Sequence, residues 1–266
     1  MPADPLRSRD SAESLPLAGR HAVVTGASRG IGAAIAARLA QLGVQMTLIG
    51  RDRVALEREA ARSWNAHAVV CDLTDAAQVD RAFAEARDRA PVAILINNAG
   101  IAESAPFLKT SDEMLDRLMN VNVTSAFRCT RAALPSMLEL GWGRVVSISS
   151  IAGLHGAAYI TAYCATKHAL VGFTRALAAE TARQGITVNA VCPGYVDTDL
   201  VRNAVSRIVA KTGHDADRVV GEMVRHNPQG RLIRPEEVAD AVAWLCGPEA
   251  GSVSGQAIAI TGGDVG

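Results

Sequence analysis

Along this chain, short apolar runs alternate with longer stretches of helical periodicity. Residues 22–24 predict a first strand and the alanine-rich residues 31–42 a helix, with Gly43 placed as its C-cap. The beat repeats, with strands at 44–49, 67–71 and 92–96 and helices at 54–62 and 75–89. In the second half, helical periodicity covers 112–140, with a bend expected at Pro135. A strand at 144–148, a helix at 161–183 and a strand at 186–191 follow. Residues 199–226 are polar and helical, with Gly213 and Gly221 as weak points; a helix at 235–245 and a strand at 256–260 close the chain. Apolar strands separated by helices predict an α/β fold. We expect one doubly wound domain over residues 19–266, its parallel sheet covered by helices on both faces. Chemistry is then expected at the carboxyl ends of the strands. Residues 1–18 mix Arg, Asp, Glu, Pro and Ser and read as a flexible N-terminal tail.

Composition narrows the classes. With 49% hydrophobic residues in 266, the chain can bury a sizeable core and is not a disordered segment. Its 27 basic and 27 acidic side chains cancel, which removes the bulk electrostatic case for nucleic acid or an anionic membrane. The five cysteines are widely spaced without a CxxC pair, so neither a disulfide framework nor a zinc cluster is expected. His155 and His214 lack clustered companions, and no metal is expected. No apolar run reaches the roughly 18–20 residues that span a bilayer, and residues 1–18 lack a signal-peptide core. A cytoplasmic location is expected.

Candidate chemistry begins with Thr25-Gly26-Ala27-Ser28-Arg29-Gly30-Ile31-Gly32, between the first strand and first helix. Its glycines are spaced GxxxGxG. They allow a tight turn and a close approach of backbone to a pyrophosphate, whose charge the helix N-terminus favours. A glycine turn alone also suits a purely structural role; its place between a strand and a helix points to a dinucleotide. This turn, Asn97-Asn98-Ala99-Gly100, Tyr163-xxx-Lys167 and Pro193-Gly194 stand in the order found in the short-chain dehydrogenase/reductase family. The chain resembles that family from about Leu17 to Gly263. The resemblance implies a seven-stranded Rossmann sheet, an NAD(H) or NADP(H) cofactor and transfer of a hydride between nicotinamide and a carbonyl or secondary alcohol.

The residue ending the second strand bears on the choice of cofactor. An acid there would bond the ribose hydroxyls of NAD(H); this chain has Gly50 and then Arg51. Arg29 and Arg51 would suit a 2′-phosphate, so NADP(H) is preferred and NAD(H) stays possible, with Asp52 as the alternative ribose contact. Asp72, followed by Leu73, resembles the family's contact to the adenine amino group. Asn98, Ala99 and Gly100 are expected near the nicotinamide-side ribose, or Asn98 braces the central strands. Pro193, Gly194, Val196 and Thr198 match the stretch that meets the nicotinamide amide.

For the chemistry, a tyrosine can exchange a proton with the substrate oxygen if its pKa, ordinarily about 10, is lowered. A lysine ammonium at ~4 Å would supply on the order of 4 kcal/mol at an effective dielectric of ~20, before desolvation costs. Tyr163 and Lys167 stand four apart on a predicted helix, hence on one face. Ser147, Ser149 and Ser150 cluster after the fifth strand. The family's spacing selects Ser150 to hold the substrate oxygen, with Ser149 the alternative register. Asn122 resembles the family's helix asparagine that holds a water beside the lysine; otherwise it is a satisfied buried amide, and Asn120 fits the register less well. Tyr159 has no lysine four residues on and is placed in the pocket lining.

The substrate is expected under residues 195–230, where Arg202, Arg207, Lys211, Arg218, Arg225 and Arg231 meet Asp199, Asp215, Asp217 and Glu222. That slight basicity would suit a CoA or acyl-carrier thioester, or is simply a solvated face. Residues 185–194 and 235–239 resemble 3-oxoacyl and polyketide ketoreductases. Ile101-Ala102-Glu103 replaces the Pro-Gly-Gly of some polyketide enzymes, which argues against aromatic polyketides. The expected reaction is NADP(H)-linked reduction of a 3-oxoacyl thioester. An NAD-dependent alcohol or 3-hydroxyacyl-CoA dehydrogenase and a non-catalytic regulatory protein are the alternatives. The family also implies a homotetramer, paired through residues 112–140 and 161–183 and through the final helix and strand; a dimer is also consistent.

Overall fold

The structure, a computed structural model, describes residues 15–63 and 65–264. Seven parallel strands form one sheet in the order β3-β2-β1-β4-β5-β6-β7. They are β1 (His21–Thr25), β2 (Gln45–Gly50), β3 (Ala66–Val70), β4 (Val92–Asn97), β5 (Gly143–Ile148), β6 (Ile186–Pro193) and β7 (Ala257–Ile260). The helices between them are α1 (Gly30–Gln41), α2 (Arg53–Ala61), α3 (Ala76–Arg89), α4 (Asp112–Met119), α5 (Ser125–Leu140), α6 (Thr161–Thr181), α7 (Asp199–Thr212), α8 (Ala216–Met223) and α9 (Pro235–Cys246).

The central strands are buried throughout because both sheet faces are covered, and their apolar side chains alternate between two cores. Val24, Ile94, Ile96, Val146 and Ile148 pack with Ile35 and Leu39 of α1 and Val242 and Leu245 of α9. Val23, Leu95 and Val145 pack with Phe83 of α3 and Cys129, Ala133 and Met137 of α5. All five cysteines are buried and free. The strand order reverses between β1 and β4, so the loops leaving those two strands part and open a crevice at their carboxyl ends.

Three expectations need correction. The 112–140 helix is interrupted not at Pro135, which lies inside α5, but at a wider π turn, Asn120–Thr124. The weak point in 199–226 is Gly213 alone. It ends α7 in the left-handed region (φ 69°), whereas Gly221 sits inside α8. The expected tail, 1–18, lies mostly outside the described residues, but its last part is packed: Leu17 is buried and its N–H donates to the Leu42 carbonyl at 3.2 Å.

Candidate active site

The glycine turn leaves β1 and enters α1 with no side chain capping the helix and no acid in its first turn. Its first amides are therefore open to an anion. The fit is tight. A Cβ on Gly32 would stand 2.3 Å from the Gly26 carbonyl oxygen and 2.5 Å from Asn98 Nδ2, and Gly26 itself has φ 64°. This cradle admits no side chain, the condition for backbone to approach a pyrophosphate. Gly26, Ser28, Arg29, Gly30, Ile31 and Gly32 thus lie around one helix end, with Arg29 exposed.

The turn is fastened to the loop after β4. Thr25 Oγ1 donates to the Ile96 carbonyl (3.2 Å) and accepts from the amides of Asn98 (3.0 Å) and Ala99 (3.1 Å). Asn98 Nδ2 donates to the carbonyls of Thr25 and Gly26. Of the two readings of Asn98, bracing the central strands is the one the hydrogen bonds display. Thr25 was missed by the sequence reading. Its signal was a hydroxyl closing an otherwise apolar strand.

At the end of β2, Arg51 is exposed and Asp52 is the N-cap of α2, accepting from the Ala55 amide at 3.1 Å. Capping uses Oδ1 and leaves Oδ2 of this exposed carboxylate open, so the alternative ribose contact stands. After β3, Asp72 Oδ1 accepts from the Thr74 amide (3.0 Å) and hydroxyl (2.8 Å). Those bonds, with nearby Arg51, hold its carboxyl below the usual range. Its second oxygen remains open to a donor such as an adenine amino group, and Leu73 beside it is buried.

Beyond β5, Ser149 and Ser150 separate cleanly. Ser149 is buried and its hydroxyl donates to the Lys167 carbonyl at 3.0 Å. Ser150 Oγ accepts from the Ala152 amide (3.1 Å) and reaches the Tyr163 phenol, an interaction that favours the phenolate. Lys167 is buried on α6 and donates from Nζ to the Ile148 carbonyl at 2.9 Å, 5.6 Å from the Tyr163 ring centre. Burial dominates both groups: it pushes the Tyr163 phenol up to about 12 and the Lys167 ammonium down to about 8. Desolvation penalises both charged forms.

Asn122 lies in the π turn, fully buried. Its Oδ1 accepts from the Ile101 amide (2.8 Å), and its Nδ2 donates to the Ile101 carbonyl (2.9 Å) and Thr166 Oγ1 (3.1 Å). It is a satisfied amide that ties the β4 loop to α6. It still borders the lysine: a Cβ on Gly100 would sit 3.2 Å from Asn122 Oδ1 and 3.7 Å from Lys167 Nζ. Thr166, which also donates to the Tyr163 carbonyl at 2.8 Å, is a second residue the sequence did not reveal.

After β6, the Gly194 amide donates to the Ile260 carbonyl at 3.0 Å and Val196 bridges to Ile233, which fixes the path of the chain after Pro193. Buried Thr198 precedes α7, facing Gly30: a Cβ there would be 3.2 Å from Thr198 Cγ2. This segment therefore meets the glycine turn, as a site spanning one dinucleotide requires. A groove of about 800 Å³ along the outer face of α1, past Ala33, Ala37 and Ala40, includes neither Ser150, Tyr163 nor Lys167. Among the described residues, no group of three His, Cys, Asp or Glu side chains could hold a metal, and no helix is long and apolar enough to cross a membrane.

Comparison with known proteins agrees with this arrangement. The short chain dehydrogenase family matches residues 20–208. Acetoacetyl-CoA reductase of Rhizobium meliloti is 38% identical over 251 residues, 92% of this chain and 98% of the relative. D-beta-hydroxybutyrate dehydrogenase of Cupriavidus necator is 36% identical over 253 residues, 93% and 98% of the two chains. The solved structure of a single-substitution variant of actinorhodin polyketide ketoreductase with NADPH superposes with a TM-score of 0.88 at 35% identity, over 92% of this chain and 97% of that one. A strand-reversal crevice, a glycine turn no side chain could enter and a Ser-Tyr-Lys group beside it are thus joined to sequence likeness along most of the length: the chain belongs to the short-chain dehydrogenase/reductase family and is an oxidoreductase of hydroxyl and keto groups.

Proposed function

We propose that this enzyme is an NADP(H)-dependent reductase of 3-oxoacyl thioesters. The observation that carries the reading is geometric: Ser150, Tyr163 and Lys167 are gathered at the carboxyl end of the sheet, with a glycine turn that admits no side chain at Gly32, in a chain 38% identical to an acetoacetyl-CoA reductase. Ketone reduction needs a proton donor at this place, and a tyrosine supplies it. When bound, the dinucleotide supplies the hydride. Ser150 holds the carbonyl oxygen, Tyr163 gives that oxygen its proton, and Lys167 stabilises the phenolate left behind. Asn122 acts as a positioning residue for the loop and helix around Lys167.

The glycine turn, Asp72, Leu73, Asn98, Ala99, Gly100 and the 193–198 segment would hold the dinucleotide. NADP(H) is favoured over NAD(H) because Gly50 stands where an acid would hold the ribose, and Arg51 and Arg29 are exposed. Two kinds of relative support the substrate class: acetoacetyl-CoA reductase and polyketide ketoreductase. Our reading includes a homotetramer in the cytoplasm. Exposed Leu115 and Phe127 on α4 and α5, and Trp244 on α9, support it as apolar surface on the elements that would pair.

The test is absorbance at 340 nm with purified protein, acetoacetyl thioesters and simple ketones, each with NADPH and NADH. NADPH consumption with the thioester is expected. Turnover confined to NAD and a secondary alcohol would replace the proposal by a dehydrogenase, and dinucleotide binding without any turnover by a regulatory protein.

A further inference from the structure

Wherever the described chain enters the left-handed backbone region it places a glycine, with one exception: Tyr159, at φ 68°. That region is disfavoured for any residue with a Cβ, and more so for a bulky one. Glycine was within reach of this loop, since Gly156 lies three residues earlier. No contact of the side chain within the fold accounts for it. The ring is 65% exposed, so it is not held by core packing, and among the described residues its hydroxyl has no hydrogen-bond partner. What the conformation does secure is the main chain: the Tyr159 carbonyl accepts from the Ala105 amide at 2.8 Å, joining the loop after β5 to the loop after β4. Those loops flank Ser150 and Gly100. Strained residues cluster at active sites and ligand clamps, where the surrounding structure holds them.

The position is four residues before Tyr163, on the stretch that carries the chain from Ser150 into α6. The chain holds only three tyrosines, and the third, Tyr195, lies near enough to Tyr163 for their charges to interact. Tyr195 is half-exposed, and so is Leu154 beside the same loop. The nearest acid on the opposite loop, Glu103, is neutralised by a bidentate pair with Arg117 at 2.8 Å. Tyr159, Tyr195 and Leu154 thus put exposed aromatic and apolar surface on the loops around the reacting group, a surface suited to a flat or apolar group.

Resting on the reductase reading above, we propose that Tyr159 is a specificity-determining residue whose ring, presented by the left-handed turn, selects carbonyl substrates carrying a flat apolar group next to the reacting carbonyl. A single ring or short apolar chain matches one phenol at the rim. A fused polyketide is a different demand, against which the Ile101-Ala102-Glu103 segment already argues.

The experiment compares ethyl benzoylacetate with ethyl acetoacetate, two 3-oxo esters that differ in phenyl against methyl on the reacting carbonyl. The full-length wild type, Tyr159→Gly and Tyr159→Phe are assayed with NADPH and NADH and melted in parallel. The wild type is expected to favour the phenyl ester. Tyr159→Gly should lower the phenyl-to-methyl ratio of kcat/KM at least fivefold, through KM, and melt no lower than wild type; Tyr159→Phe should keep the ratio. An unchanged ratio, or equal loss on both esters with a lower melting temperature, would overturn the proposal, as would a changed oligomeric state with unchanged selectivity. If the wild type binds NADPH but reduces neither ester nor an acetoacetyl thioester, the reductase reading fails. Calorimetric titration of the phenyl ester then decides the ring's role separately: at least fivefold weaker binding to Tyr159→Gly supports it, and equal binding overturns it.

Discussion

Tyr163 and Lys167 share one constraint, burial, and respond in opposite directions: the phenol keeps its proton more firmly and the ammonium less so. A phenol pushed up to about 12 is a competent donor at pH 7. A lysine brought down to about 8 is still mostly charged there, ready to stabilise the phenolate once the proton has left. Removing the hydroxyl should therefore strike the proton step alone. Tyr163→Phe is expected to lower turnover by about 10²–10⁴-fold while NADPH binding, followed by fluorescence, stays within about twofold. Near-normal turnover would exclude Tyr163 as the acid. The YxxxK pair was legible in the sequence because residues four apart on a helix share a face. The partners of Asn98 and Asn122 were not, since their bonds reach 21 to 73 residues along the chain, to Ile101, Thr166, Thr25 and Gly26. Spacing carries no record of such pairings. Spacing also counts a charge pair without the desolvation of its members, which sets the direction at both groups here.

Elements were the most readable level, since burial of β1, β4, β5 and β6 on two faces leaves short, mainly apolar runs that stand out between helical stretches. The failures have local causes. Pro135 is tolerated within α5, while the interruption falls at Asn120–Thr124, a π turn with no glycine or proline to announce it. Gly213 and Gly221 look alike in sequence, yet one terminates a helix and the other lies within α8 with nothing inside 4 Å of a Cβ. The same contrast makes a test of the phosphate turn. Gly32→Ala forces a methyl against the Gly26 carbonyl and the Asn98 amide, both already engaged in fastening the turn. It should weaken NADPH binding more than tenfold and cost about 1–3 kcal/mol of stability. Gly221→Ala should instead stabilise by about 0.5–1 kcal/mol, as alanine does in an exposed helix, and leave binding untouched. Urea denaturation and a binding titration on both variants check the pair; undiminished affinity in Gly32→Ala would remove the turn from the cofactor site.

At the scale of the whole molecule, 27 acids balance 27 bases, so no net field steers its partners and its response to pH rests on individual buried groups. His21 is the buried histidine, at the start of β1 and at the end of the sheet opposite the crevice. Its Nδ1 donates to the Ala90 carbonyl at 2.8 Å and its Nε2 pairs with Thr47 Oγ1 at 2.9 Å, so one ring links β1, β2 and the end of α3. Burial lowers its pKa below the ordinary 6.5; the Ala90 carbonyl opposes the shift and Arg89 adds to it. For a base lowered in the fold, the unfolded chain takes up the proton first. Stability from His21 is therefore complete above about pH 6.5 and is lost as the pH falls, by at most about 1.4 kcal/mol per pH unit for one proton. The acids held in hydrogen bonds (Asp72, Asp75, Glu103 and Glu237) have their pKa values lowered, so they stay ionised through this window and do not contribute to the loss. Urea midpoints measured from pH 7.5 to 5.5 should decline in the wild type and decline distinctly less in His21→Gln, which keeps a polar side chain but cannot titrate. Parallel declines would show that acid acts elsewhere, and that the ring linking β1, β2 and α3 is not what couples this sheet to pH.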